Sequence, residues 1–147
     1  MVAGVHEMII ALARHFPMCT ISTGGAPRVD RFLKHYDVRE CFVEVIGAQT
    51  TRRMKPHPEP LLVAAAAMGV QPQECLMIGD TTIDIRTGLA AGAQTAGVLC
   101  GFGTADELLT TGAHLMLPTT SDLLGVLRPS DGSLQKSASP WPQTTPS

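Results

Sequence analysis

Two carboxylates stand four residues apart directly after a short apolar run: Asp80 and Asp84, in MIGDTTIDIRTGLAAGA, residues 77–93. Leu76-Met77-Ile78-Gly79 reads as a buried strand ending in a glycine, and Asp84 lies one helical turn beyond Asp80. Carboxylates at the end of such a strand suit a hard cation, which takes oxygen ligands. Two other polar features have the same setting. Ser22-Thr23-Gly24-Gly25 closes an apolar stretch and opens a helix. A hydroxyl followed by glycines at a helix start suits an anion, because free N–H groups and the helix dipole point the same way. Lys55 lies in RRMKPHPEP, just ahead of another helix. A hydroxyl, a lysine and a carboxylate at neighbouring strand ends would form a pocket for phosphate and magnesium.

Each of these residues also has a plainer reading. Asp80 fits a helix N-cap, and Asp84 fits a first-turn acid favoured by the helix dipole. Ser22-Thr23 fits a cap for the next helix, and Lys55 a solvated lysine. Arg52 and Arg53 read as solvent-facing, and His57 as a loop residue. His6, His15, His35 and His114 are scattered, with no metal spacing between them. GFGT at Gly101 has the start of a dinucleotide fingerprint but lacks its third glycine.

The elements that must bring these residues together alternate. Val5, Met8, Ile9 and Leu12 recur at helical spacing and predict a helix over 4–15. A strand follows at 18–22, then a helix over 27–36 with Pro27 in its first turn. Next come a strand at 42–46, a helix over 58–68 stopped by Gly69, a strand at 76–78 and a helix over 82–91 stopped by Gly92. The remainder predicts a strand at 95–99, a short helix from Thr104 to Leu109 opened by a capping box, a strand at 114–117 and a helix over 121–127 capped by Ser121. Strands separated by helices of this length predict parallel βαβ units, hence an α/β fold. Ligands of such open sheets collect at the carboxyl ends of the strands.

With 147 residues, the chain is long enough for one domain with a sizeable core. Aromatics are 4% and charged residues 16%, so packing is aliphatic. A net charge of -2 gives no basic footprint for nucleic acid. No apolar run reaches the roughly 18 residues of a membrane span, and the N-terminus has no secretory n-region. Cys19, Cys41, Cys75 and Cys100 are far apart, with no CxxC pair. Cys19 and Cys75 lie in or beside apolar strands and read as buried thiols of a reducing, cytoplasmic setting. Residues 128–147 are Pro- and Ser-rich with almost no aliphatics, which predicts a disordered tail after a folded unit at 1–127.

The chain resembles the haloacid dehalogenase (HAD) superfamily of phosphohydrolases, especially its phosphoglycolate-phosphatase-like branch. Ser22 matches the family's second motif, Lys55 in KPHPEP its third, and IGDTTIDIRTGLAAGA its fourth. Gly4-Val5 resembles the segment that opens the core after the cap, so the likeness covers about residues 4–127. It implies a Rossmann-like, three-layer parallel sheet and hydrolysis of small phosphorylated metabolites with Mg2+. By the same resemblance, Ser22 and Lys55 are catalytic. Ser22, Thr23, Gly24 and Lys55 hold phosphate, and Asp80 and Asp84 serve the metal.

The family's first motif, Asp-x-Asp-Gly-Thr, supplies the nucleophile and the general acid/base on a central strand. No such stretch occurs in these 147 residues, and neither does the cap that follows it in the family. Asp30 and Asp37 are the only Asp before residue 80, and neither follows an apolar strand. The expectation is a C-terminal part of the core, inactive alone, with the strands of Ser22 and Asp80 flanking an empty slot. Unpaired inner edges are costly, so the strands close up, a second chain fills the gap, or the chain is unstable or self-associates. Two other readings stand beside this one: a non-catalytic phosphate-binding or regulatory module, and a nucleotide-binding α/β domain.

Overall fold

The structure, a computed structural model, describes residues 4–99 and 103–127. The expected tail at 128–147, Cys100, and Gly101 and Phe102 of GFGT lie outside the described residues. Helix α1 (Val5–Ala13) precedes β1 (Cys19–Ile21), α2 (Ala26–His35) and β2 (Glu44–Ile46). Then follow α3 (Glu59–Met68), β3 (Leu76–Gly79), α4 (Thr82–Ala91), β4 (Gln94–Val98), α5 (Ala105–Thr111), β5 (Leu115–Leu117) and α6 (Leu123–Val126). This is the predicted α/β alternation, and every strand pairing is parallel.

The sheet is in two pieces. β1 pairs with β2, Thr20 opposite Val45, and β3-β4-β5 forms a second ladder, with Ile78 opposite Ala96 and Gly97 opposite Met116. Among the described residues no ladder joins β1 to β3. Each keeps one unpaired edge, at the place where the sequence predicts a missing central strand.

Side-chain packing holds the two pieces together from both faces. On one face Met8, Ile9 and Leu12 of α1 share a cluster with Val45 of β2, Val98 of β4 and Leu117 of β5. On the other, Leu61 and Ala65 of α3 pack with Met77 of β3, and Ile21 of β1 lies against them. Packing on both faces gives the three layers expected of a parallel sheet, but β3 is not buried throughout as expected: Met77 is buried, whereas Ile78, beside the unpaired edge, is exposed. Helix α4 lies close on its strands because of Gly88. A Cβ there would meet the methyl of Thr95 and Cβ of Met77.

Local chemistry moves several boundaries. β2 begins at Glu44 rather than 42, because a 3-10 turn at Arg39–Cys41 runs up to Phe42, and the Arg39 side chain donates to the Phe42 carbonyl at 2.8 Å. The last helix is not one element capped by Ser121. A 3-10 turn at Thr120–Asp122 leads into the single turn of α6, and the cap is Thr119, which forms a capping box with Asp122. Thr104 caps α5 as predicted, accepting from Glu107 N–H at 3.2 Å, and α5 runs on to Thr111. Among the described residues no helix is long and apolar enough to cross a membrane.

Candidate active site

Strand β1 delivers Ser22. Its N–H donates to Ile46 O of β2 at 2.9 Å, continuing the ladder by one residue. Its hydroxyl then accepts from Gly24 N–H at 3.0 Å, which turns the chain into α2. Gly25 is the N-cap of α2 and places no side chain over the first-turn amides. Thr23 and Gly24 are exposed, Ser22 half-buried. Gly24 O accepts from Ala48 N–H at 2.9 Å, which ties this turn to the end of β2.

Lys55 reaches the same place from another direction. Its Nζ lies 3.5 Å from Ile21 O, the last carbonyl of β1, and 2.5 Å from Asp84 Oδ1. The Lys55 and Asp84 side chains are only 12% and 8% exposed. A charge this sheltered is stable only with a close counter-charge and further hydrogen bonds, and Asp84 has both. Its Oδ2 accepts from Thr81 N–H at 3.3 Å and from Thr81 Oγ1 at 3.0 Å, while Asp84 N–H donates back to Thr81 Oγ1. Asp84 is thus N3 of a capping box that starts α4 and also the anchor of Lys55. Gly79 makes the arrangement possible: a Cβ there would overlap the Asp84 side chain.

Asp80 stands half-buried between the end of β3 and Thr81. Its carbonyl accepts from Gly103 N–H at 2.8 Å, so the segment after β4 returns to this strand end. Among the described residues no group of three or more His, Cys, Asp or Glu is placed to hold a metal ion. Asp80 stands at the strand end, and both oxygens of Asp84 already have protein partners.

Through Lys55 the structure brings together the end of β1 and the first turn of α4, which follows β3. Two contributors were not singled out from sequence. Thr81 was legible, since Thr-x-x-Asp is a capping-box pattern. Glu59 was not: its carboxylate accepts from Arg52 N–H at 3.0 Å and Arg53 N–H at 3.2 Å, contacts that exist only once the loop has closed. The side chains of Arg52 and Arg53 are solvent-exposed, as expected. His57 lies in the loop before α3, as expected, and its Nδ1 accepts from Glu59 N–H at 3.1 Å.

The described thiols, Cys19, Cys41 and Cys75, are all free; Cys75 is buried as expected, whereas Cys19, expected to be buried, is half-buried like Cys41. Burial, with the Cys19 thiol and Glu74 nearby, pushes Cys75 up to about 11. Burial also raises Cys19.

The profile of the haloacid dehalogenase-like hydrolases matches residues 1–98. The phosphoglycolate phosphatase of Escherichia coli (strain K12) is 31% identical over 115 residues, which are 78% of this chain and 46% of that protein. The Salmonella typhimurium phosphoglycolate phosphatase is 33% identical over 107 residues, 73% of this chain and 42% of the relative. A hydrolase from Pseudomonas syringae has the same fold, with a TM-score of 0.77 and 26% identity, covering 84% of this chain and 57% of that one. A HAD family hydrolase from Deinococcus radiodurans, solved with bound phosphate and sodium, gives a TM-score of 0.71 and 27% identity, covering 84% of this chain and 56% of the other. The chain spans about half the length of the curated relatives it matches. A profile match across most of the chain, on this parallel α/β frame, makes the chain a member of the haloacid dehalogenase-like hydrolase family.

Proposed function

We propose that this chain carries the phosphate-holding part of a HAD-type phosphatase centre for small phosphate esters of the phosphoglycolate kind. The observation that carries the reading is the Lys55 ammonium, sheltered at the end of β1 and fixed by Asp84. On the turn that the Gly24 N–H holds closed against Ser22 Oγ, Ser22 and Thr23 donate to phosphoryl oxygens, and Lys55 neutralises their charge. Asp84 positions Lys55. Asp80, which follows β3 directly at the strand end, is the carboxylate that meets magnesium. One protein carboxylate plus substrate phosphate is an ordinary way to hold this ion. When bound, magnesium would offset negative charge on the transferring group.

The relatives' names support a phosphorylated small molecule as substrate, and bound phosphate in the Deinococcus hydrolase supports an oxyanion site on this frame. The attacking carboxylate belongs to an Asp-x-Asp-Gly-Thr strand, which these 147 residues do not contain. The unpaired edges of β1 and β3 suit an added parallel strand, brought by a second chain or an extended form of this one. The free thiols suit the reducing cytoplasm. A non-catalytic phosphate-binding module is the second reading, favoured by the missing nucleophile motif.

Turnover of a generic phosphate ester with magnesium separates the two. The 147-residue chain should show essentially none. A form extended with an in-frame Asp-x-Asp-Gly-Thr strand should turn over, and lose orders of magnitude on Lys55→Ala or Asp80→Ala. Turnover by the 147-residue chain near the roughly 10 s⁻¹ typical of enzymes would overthrow the missing-nucleophile argument. A silent extended form would leave the binding-module reading in place.

A further inference from the structure

We infer that Glu59 is a positioning residue that sets Lys55 for phosphate by closing residues 52–59 into a clasped ring. The start of this segment is tied to its last residue, Glu59. Its carboxylate takes the N–H groups of Arg52 and Arg53, one on each oxygen, at 3.0 and 3.2 Å. Its own N–H donates to His57 Nδ1 at 3.1 Å, and His57 N–H donates to Met54 O at 2.9 Å. Thr51 Oγ1 donates to Arg53 O at 2.7 Å, fixing the entry to the ring. Lys55 stands at the apex. Pro56 and Pro58 flank His57 and restrict the backbone on the return side.

Helix α3, which Glu59 begins, is planted on the rest of the molecule. Leu61 and Ala65 lie in the apolar cluster with Met77 and Ala91. The clasp therefore references the Lys55 loop to a rigid helix rather than to solvent. The cost of ordering this loop is met on folding instead of on binding, which is how pre-organisation raises affinity. A carboxylate suits the task because it gives each of the two adjacent N–H donors its own charged oxygen. An amide has one acceptor and turns its own N–H donors toward the second.

The inference rests on the phosphate-site reading, and a double-mutant cycle separates the two. Calorimetry with inorganic phosphate is run on the 147-residue chain, Glu59→Gln, Lys55→Met and the double variant. Glu59→Gln should weaken binding about tenfold, with the melting temperature kept within a few degrees. In the Lys55→Met background it should have no further effect, because it acts through the ammonium. Glu59→Asp keeps both acceptors and should recover part of the loss; it also stands in if the Gln variant is unstable. In wild type, the Arg52 and Arg53 amides should be protected from hydrogen exchange. If Lys55→Met binds phosphate like wild type, the site reading fails and the clasp loses its purpose. If Lys55→Met weakens binding but Glu59→Gln does not, or if the two losses simply add, the clasp inference alone is overturned.

Discussion

An ammonium group as sheltered as that of Lys55 must be neutralised where it lies, and Asp84 does so. Removing either partner leaves an uncompensated charge out of water, which costs several kcal/mol in buried pairs. Lys55→Met and Asp84→Ala should each destabilise the chain by about 2–4 kcal/mol, and the double variant by clearly less than the sum. Urea titrations measure this, and strict additivity would refute the pairing. The Cys75 thiol gives a second test. Its ordinary value, that of the unfolded chain, is 9.0, and the fold pushes it up to about 11. Between those values the unfolded chain sheds a proton that the folded chain keeps, so stability falls as pH rises from 9 to 11. The ceiling is roughly 2–3 kcal/mol. Cys75→Ala should flatten this alkaline limb in melts taken across the range, and an unchanged slope would mean that another group causes it. At this scale Ser22, Lys55, Asp80 and Asp84 were legible because strand ends and helix starts are marked by residue type. That Asp84 spends its oxygens on Lys55 and Thr81 was not legible. The same Asp at the same spacing fits a metal ligand, a cap or an ion pair, and only the direction of the side chain decides.

Helix α4 is the element the sequence marks most clearly. Its expected span, 82–91, is the observed one. Thr81 and Gly92 bracket it, and Gly92 takes the left-handed conformation at φ 81. The last helix was less legible: Thr119 competes with Ser121 as the cap, and capping choice depends on which side chain meets Asp122. Close packing of α4 yields a paired prediction. Gly88→Ala forces a methyl against Thr95 and Met77 and should cost about 1–3 kcal/mol, the usual range for overpacking. Gly125→Ala in α6 meets nothing within 4 Å and should be neutral or slightly stabilising, since Ala gives up less backbone freedom. Chemical denaturation of both variants checks the contrast, and equal effects would mean that α4 does not sit so near the sheet.

Across the whole molecule, the divided sheet sets how stability is shared. β4 has a neighbour on each side, whereas β1 and β2 form an isolated two-strand ladder of three-residue strands. Short ladders with a free edge open first. Native-state hydrogen exchange should find the amides of Ala96 and Val98 slower than those of Val45 and Ser22, and the reverse order would contradict the topology. The α/β class followed from alternation of apolar runs alone, and the slot between β1 and β3 from an absent motif. How α1 and α3 hold the halves together depended on three-dimensional packing that no local pattern records. The same division has a mechanical consequence. Tension applied from β2 to β5 crosses no rung of backbone hydrogen bonds between β1 and β3 among the described residues. It falls instead on the Lys55 bridge between Ile21 O and Asp84 and on side-chain contacts of α1 and α3, which give way one after another rather than failing together. The molecule should therefore yield softly in that direction, at lower force than along a pull that shears β3 against β4.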